Sequence, residues 1–488
     1  MLDTEYIKAQ RNEPWRQDLR KDLKNKERAA IPRVEMPALD GAYRSHCYEE
    51  VNLGLTLEQA LQESKRCLDC VEPHCMEGCP VGIEIPTFIK HIERNEILEA
   101  AKVLKETSSL PAVCGRVCPQ EKQCESLCIH LKMKAESVAI GHLERFAADY
   151  ERESGKISIP EIAASNGIKI AVVGSGPAGL AFAGDMAKYG YDITVFEALH
   201  EIGGVLKYGI PEFRLPNTIV DVEIENLKKM RVKFITNCII GKTISYDDLH
   251  ESGFKGIFVA SGAGLPNFMN IPGENLSGVL SANEYLTRVN LMGANRPDAD
   301  TPVFHGKNVA IIGGGNTAMD AVRTARRMGA EKAMIVYRRS EEEMPARVEE
   351  IHHAKEEGIV FMNLNNPIEY IGDETGHVKQ MVLQKMELGE PDASGRRKPV
   401  EIPGATETVD VDLVVVSIGV SPNPLIPHAF SGLNVSKWGT IIVNQDTFQT
   451  DLPDVYAGGD IVRGGATVIL AMGDGRKAAA AMHEKLGE

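Results

Sequence analysis

The hydrophobic pattern divides the chain near residue 167. Upstream of that point, apolar residues recur at helical spacing among Glu, Lys, Arg and Gln, with no strand-like alternation. Thr56-Leu-Glu-Gln59 has the form of a capping box and predicts a helix running towards Lys65. The spacing predicts further helices over 97–107 and 136–150. The stretch ERESGKISIPEIAASNG, up to Gly167, reads as a linker.

From Ile168 the texture becomes strand, glycine-rich turn, helix, strand. IKIAVVGSGPAGL leads into a helix to about Lys188 and then the strand DITVFE. The same order returns with NVAIIGGGNTAMD, a helix to Met328, and AMIVYRR. Two βαβ openings about 140 residues apart predict two dinucleotide-binding domains. The segments GIFVASG (256–262) and LVVVSIG (413–419) bracket the second opening. They read as crossover strands by which one domain is inserted into the other.

Gly174-Ser-Gly176-Pro177-Ala178-Gly179 fits G-x-G-x-x-G between a strand and a helix. The first Gly makes the tight turn, the second admits a pyrophosphate to the backbone, and the third lets the helix pack on the sheet. The helix N-terminus adds free N–H groups and a partial positive charge. Glu197 ends the next strand, where an acid can take ribose hydroxyls. Gly203-Gly204 follows. Near the C-terminus a short strand runs into Gly458-Gly459-Asp460, with a helix expected to start near Ala466, ahead of Thr467 and Val468. That ending resembles the closing FAD motif of two-dinucleotide-binding flavoproteins. In those proteins the Asp contacts the ribityl or pyrophosphate region, and the last helix points its positive end at the flavin.

The second motif, Gly313-Gly-Gly315-Asn316-Thr317-Ala318, has the same context, but its second strand ends in Tyr337-Arg338-Arg339-Ser340 instead of an acid. Paired Arg and a Ser hydroxyl suit a 2′-phosphate, which an acid would repel. NADPH is therefore favoured over NADH. The competing reading makes these arginines solvated surface pairs.

Length and composition narrow the picture further. The 488 residues suggest about three domains. Charged residues make up 25% and the formal net charge is −15, which disfavours nucleic acid as a partner. The charged N-terminus lacks a signal-like apolar core, and no stretch of about 20 apolar residues exists, so a cytoplasmic protein without membrane association is expected. The unusual count is cysteine, with ten in all and eight between Cys67 and Cys128. A reducing compartment favours metal binding over disulfides for such a cluster.

The spacing is Cys67-x2-Cys70-x4-Cys75-x3-Cys79-Pro80, then Cys114-x3-Cys118-Pro119-x4-Cys124-x3-Cys128. Short loop-rich runs with one outlying ligand, and Pro after a Cys, suit cubane iron–sulfur clusters. A Cys₄ zinc site is the rival. Downstream of these runs Cys238 is the sole cysteine, so no redox thiol pair is available beside a flavin. Electrons leaving a flavin would need a metal centre as their exit.

The ordered set RCLDC…GCPV, CGRVCPQ, GSGPAGL, YGIPEFRLP, GGGNTAMD, YRRSEEEMPA and AGGDIVRG resembles the glutamate synthase small (β) subunit family. It is similar also to the large subunit of NADH-dependent reduced ferredoxin:NADP oxidoreductase and to the N-terminal half of dihydropyrimidine dehydrogenase. The resemblance runs from about Leu53 to the C-terminus. It implies a helical domain at 1–160 with two 4Fe–4S clusters. It implies an α/β two-dinucleotide-binding flavoprotein after it: an FAD domain at 161–300 and 413–488, with an NADPH domain inserted at 301–412. It implies that Cys67, Cys70, Cys75 and Cys128 hold one cluster. Cys79, Cys118 and Cys124 hold the other, with Glu144 of IGHLE as the fourth ligand and Cys114 as a bystander. The implied activity is oxidation of NADPH through FAD and the clusters to a partner redox subunit. That partner is a glutamate synthase large subunit or a ferredoxin-linked flavoprotein; the alternatives are a transhydrogenase or a dihydropyrimidine dehydrogenase complex. No acid–base triad is required.

Overall fold

The computed structural model describes residues 4–487. Its N-terminal part is built of helices, among them α1 (Leu57–Ser64), α2 (Ile85–Glu93), α3 (Ile97–Thr107), α4 (Pro111–Val117) and α5 (Ile140–Ser154). The expected capping box opens α1: Gln59 N–H donates to Thr56 Oγ1 at 3.2 Å, and Thr56 N–H to Gln59 Oε1 at 2.9 Å. Such a cap contributes about 1 kcal/mol. The helix expected over 136–150 begins later, at Ile140, and runs on to Ser154. Arg66 donates to the carbonyls of Glu136 (2.6 Å) and Ser137 (2.7 Å), and Ala139 N–H donates to buried Glu63 (2.8 Å). Backbone held by distant side chains cannot join a helical ladder. At the other end Gly155, with φ +69°, closes α5 in the left-handed conformation.

The rest of the chain forms two parallel sheets. Strands β1 (Lys169–Val173), β2 (Asp192–Phe196), β3 (Lys233–Ile235) and β4 (Phe254–Val259) make up most of the first, and the last strand of the chain, β15 (Val455–Ala457), completes it in the order β15-β4-β1-β2-β3. Helix α6 (Pro177–Lys188) follows β1. A short pair, β5 (Leu265–Pro266), then leads to β6 (Val279–Ser281), β7 (Asn308–Ile312), β8 (Lys332–Tyr337) and β9 (Val360–Asn363). An antiparallel sheet of β10 (Asn365–Gly372), β11 (Val378–Pro391) and β12 (Arg397–Asp410) precedes β13 (Leu413–Val416) and β14 (Val420–Ser421). The second parallel sheet has the order β6-β13-β7-β8-β9. It carries α7 (Asn316–Arg327) and α8 (Val348–Glu356), and the chain closes with α9 (Val468–Gly487).

One boundary differs from expectation. Strand β13 does not open the returning half of the first body at residue 413. It hydrogen-bonds on one side to β6 and on the other to β7, inside the second sheet. The crossings are β5 and β14, which pair antiparallel with Val420 opposite Pro266. The inserted body therefore begins after Pro266, earlier than residue 301, and ends before Val420. The run LVVV is buried at all four positions, and such a run suits an inner strand of either parallel sheet.

A single hydrophobic core runs from the N-terminal helices into the first sheet, through Phe88, Leu104 and Val113 to Val172, Phe182 and Met472. The second sheet has separate cores on its two faces. Between the bodies lies a buried ionic seam. Glu357 receives Arg44 from the N-terminal segment (3.0 Å) and Arg323 (2.8 Å) and Arg327 (2.7 Å) from α7. Arg214 from the first body donates through Nη1 to both carboxylate oxygens of Asp320 on α7, at 2.6 and 2.7 Å. No helix among the described residues is long and apolar enough to cross a membrane.

Candidate functional site

A cavity of about 1470 Å³ lies between the two parallel sheets and is lined by both glycine motifs. Each motif sits where β1 or β7 turns into its helix. Gly174 has φ +103°, and a Cβ there would lie 2.5 Å from the Ala260 carbonyl oxygen. A Cβ on Gly179 would lie 2.1 Å from the Gly174 carbonyl oxygen, so the turn and the helix start touch backbone to backbone. At Gly176, by contrast, a Cβ would meet nothing within 4 Å. That open cradle faces the cavity. Neither α6 nor α7 has a side chain capping its N-terminus, which leaves N–H groups of the first turn, Ala178 and Gly179 in α6 and Asn316 and Thr317 in α7, for phosphate oxygens.

Around the first motif, Glu197 is buried, and its carboxylate accepts Ser175 N–H (2.9 Å), Ser175 Oγ–H (2.6 Å) and Leu199 N–H (2.9 Å). It braces the glycine loop and also lines the cavity. Gly204 lines the cavity, whereas Gly203 does not; its N–H donates to Ser175 Oγ at 3.0 Å. At the far end, Gly459, Asp460, Ala466, Thr467 and Val468 all line it. Helix α9 begins at Val468, two residues later than expected, because Asp460 accepts the Ala466 N–H at 3.1 Å and holds the preceding loop. Burial pushes the Asp460 carboxyl up to about 6. Fully buried Asp474 accepts Gly459 N–H (3.0 Å) and pairs with Arg463 (2.6 Å), tying the Gly-Gly-Asp loop to α9. Tyr208 lines the cavity close enough to Asp460 and Glu197 for both to raise its pKa, after burial, to about 12. Within YGIPEFRLP neither Tyr208 nor Arg214, the partner of Asp320, has a local signature that marks it as part of the site.

Around the second motif, Gly313, Gly315, Asn316, Thr317, Arg338 and Arg339 line the cavity, and Ser340 does not. Ser340 Oγ instead donates to Glu343. Arg338 is exposed. Arg339 is buried and paired with Asp392 at 2.6 Å, so the two arginines are not equivalent.

All ten cysteines are free thiols. Cys67, Cys70, Cys75 and Cys128 line one small cavity. Burial and the neighbouring thiols push Cys70 up to about 12 and Cys75 well above the usual range. The loop bearing Cys67 and Cys70 is clamped: fully buried Lys90 donates to the Cys67 carbonyl at 2.6 Å, and fully buried Asp69 pairs with Arg16 and Arg20.

Cys79, Cys118 and Cys124 gather around Glu144, whose negative charge would raise the pKa of each. Glu144 is buried on α5, and its Oε1 has no hydrogen-bond partner. Burial, and then Glu223, push its carboxyl up to about 8. Cys114 belongs to the same cluster, hydrogen-bonded to Cys118, with its Sγ 3.5 Å from Met472 Sδ of α9.

Thiols raised this far ionise only against nearby positive charge, and an orphaned buried carboxyl needs the same. Both sets therefore fit a resident metal group. Among the described residues no three His, Cys, Asp or Glu side chains converge on a single ion.

Residues 44–156 match the family described as dihydropyrimidine dehydrogenase domain II, 4Fe-4S cluster, and residues 168–475 match pyridine nucleotide-disulphide oxidoreductase. The glutamate synthase (NADPH) small chain of Azospirillum brasilense is 34% identical over 452 residues, covering 91% of this chain and 92% of its own. The chain of that name in Escherichia coli K12 is 35% identical, covering 92% and 96%. The NADP(+)-dependent formate dehydrogenase subunit beta of Moorella thermoacetica is 36% identical over 84% of this chain and 60% of its own. Among solved structures, Mycobacterium tuberculosis FprA in complex with NADPH superposes with a TM-score of 0.56 at 22% identity, over 66% of this chain and 85% of its own, a likeness of fold.

Proposed function

The chain belongs to the glutamate synthase (NADPH) small-chain family, an NADPH-dependent FAD and iron–sulfur oxidoreductase, and on that premise we propose that it is the electron-input subunit of a larger redox complex. The observation that carries this reading is contiguity. Val117, next to Cys118, lines the cavity that holds both glycine motifs. The Pro80 carbonyl, next to Cys79, packs on α9 so closely that a Cβ on Gly473 would lie 2.9 Å from it. The Cys79, Cys118, Cys124 and Glu144 set thus adjoins the flavin end of the cavity. Cys75 of the Cys67, Cys70, Cys75 and Cys128 set is near enough to Cys124 to raise it, so the two sets are neighbours.

When bound, NADPH supplies a hydride, the flavin divides it into single electrons, and iron–sulfur clusters carry those onward. The chain supplies position and charge. Gly174, Gly176, Pro177, Ala178 and Gly179 with the α6 N-terminus cradle the FAD pyrophosphate. Glu197 holds the loop and the ribose, Gly204 closes the wall with Gly203 tied to Ser175 behind it, and Asp460 with Ala466, Thr467 and Val468 would direct the positive end of α9 at the ring. Gly313, Gly315, Asn316 and Thr317 take the NADPH pyrophosphate, and Arg338 and Arg339 its 2′-phosphate, with Ser340 acting through the loop that bears them. The two donor sets would hold two 4Fe–4S clusters, the set of Cys67, Cys70, Cys75 and Cys128 passing electrons to the partner. That partner is a glutamate synthase large subunit. The similarity to a formate dehydrogenase beta subunit, which is said to use NADP(+), favours a second reading in which the same module serves a different redox partner.

Anaerobic purification with iron, sulfide and flavin counts tests the cofactors. About eight Fe and one FAD per chain, bleached by NADPH, are expected. Zinc without labile sulfide would overturn the reading. Co-purification from native cells identifies the partner.

A further inference from the structure

The second glycine motif has a wall that its own βαβ unit does not supply. Strands β11 and β12, each 14 residues long, form a hairpin whose β12 is largely exposed. The tip between them turns back onto the loop after β8 that carries Arg338 and Arg339. Asp392 N–H donates to the Arg396 carbonyl at 2.7 Å, and Gly395, at φ +79°, completes the turn. Two contacts dock this tip: Asp392 with Arg339 (2.6 Å), and Arg397 Nε with Glu343 (3.0 Å). A third arginine, Arg396, has its Nε held by Ser394 Oγ at 3.0 Å. No partner engages its two terminal nitrogens among the described residues. Arg396 lines the cavity together with Arg338, Arg339 and, as an opposing charge, Glu401. Arg339 is 7% exposed, and its Nε has no hydrogen-bond partner.

A planar guanidinium with both terminal nitrogens free, oriented through its Nε, is the arrangement that grips a phosphate bidentately. We infer that the hairpin tip is the outer wall of the 2′-phosphate subsite: Arg396 is a specificity-determining residue that binds the 2′-phosphate, and Asp392 holds Arg339 in place until that phosphate displaces it. This rests on the reading of the second glycine motif as the NADPH site. A dianionic phosphate among three arginines outcompetes one carboxylate for Arg339, because it brings more charge and three acceptor oxygens. An unphosphorylated ribose offers nothing to exchange for the Asp392 pair.

The test is the binding of adenosine 2′,5′-bisphosphate and of 5′-AMP, which lacks only the 2′-phosphate, to the purified holoprotein by calorimetry. Wild type should prefer the bisphosphate. Arg396→Ala should weaken bisphosphate binding about tenfold or more and leave 5′-AMP unchanged. Arg396→Lys, which keeps the charge without the fork, should fall between. Asp392→Asn should tighten the bisphosphate, since Arg339 loses its competitor. Melting temperatures equal to wild type would show that the variants are folded. Should wild type prefer the bisphosphate while Arg396→Ala binds it equally well, the hairpin wall is refuted and the NADPH site stands. Should wild type hold both nucleotides equally, the NADPH reading of this motif falls, and the hairpin inference with it.

Discussion

Glu144 is the residue on which the metal assignment can be broken most cleanly. Its carboxyl is buried, one oxygen has no partner, and it lies with Cys79, Cys118 and Cys124. With its pKa raised to about 8, keeping it ionised at pH 7 without a cation costs about 1.4 kcal/mol. An iron ligand repays that directly. Glu144→Gln retains an oxygen donor and removes one negative charge. A unit charge about 4 Å away at an effective dielectric near 20 is worth about 4 kcal/mol. For one electron that corresponds to roughly 170 mV, taking 59 mV per tenfold change. The potential of one cluster should therefore rise by an amount on the order of 100 mV, and the other should stay in place. Anaerobic redox titration followed by EPR reads both. Glu144→Ala should also lower iron content, because a ligand is lost outright. If both variants keep full iron and both wild-type potentials, Glu144 is not a ligand and the charge argument fails.

Other positions test the scaffold. Arg323 and Arg327, working against burial, hold Glu357 at about 2. Its folded pKa thus lies below the ordinary 4.5, so its contribution of about 3 kcal/mol is present above pH 4.5 and fades as pH falls towards 2. Glu357→Gln should cost about 3–5 kcal/mol at pH 7 in urea unfolding, since three buried arginines lose a shared partner; a loss below about 1 kcal/mol would contradict the seam as described. Gly179→Ala forces a Cβ onto the Gly174 carbonyl 2.1 Å away, and the purified variant should lack FAD by its absorbance spectrum. Replacing Arg338 and Arg339 together by Ala should raise KM for NADPH far more than KM for NADH in steady-state assays, and equal effects would argue against a 2′-phosphate site.

Much of this architecture is legible locally. Glycine motifs announce themselves because the tight turn, the open cradle at Gly176 and the helix start all fall within a few residues. The capping box at Thr56 and helix α3 are equally local. Cysteine spacing is local too, but the assignment of ligands is not. Glu144 lies sixteen residues beyond Cys128, on a helix where nothing nearby marks it, and only a family resemblance pointed to it. The start of α5 is not legible locally because Arg66 and Glu63, 70 or more residues away, take the backbone groups just ahead of it. The LVVV strand pairs with β6 and β7 and not with the first sheet, which the sequence does not show because an apolar run does not reveal its neighbours.

The sequence by itself determined the two nucleotide-binding turns, the preference for a phosphorylated ribose and the presence of a metal-binding cysteine domain, because each depends on residue types at short, fixed spacing. Tertiary structure alone decided that the Glu144 carboxyl is buried with one oxygen unpartnered, which of two adjacent arginines is exposed and which is tied to Asp392, and that a hairpin some fifty residues further on closes the same cavity. Those facts depend on which chain segments are folded against one another, and burial and charge pairing act across that distance without leaving a local trace.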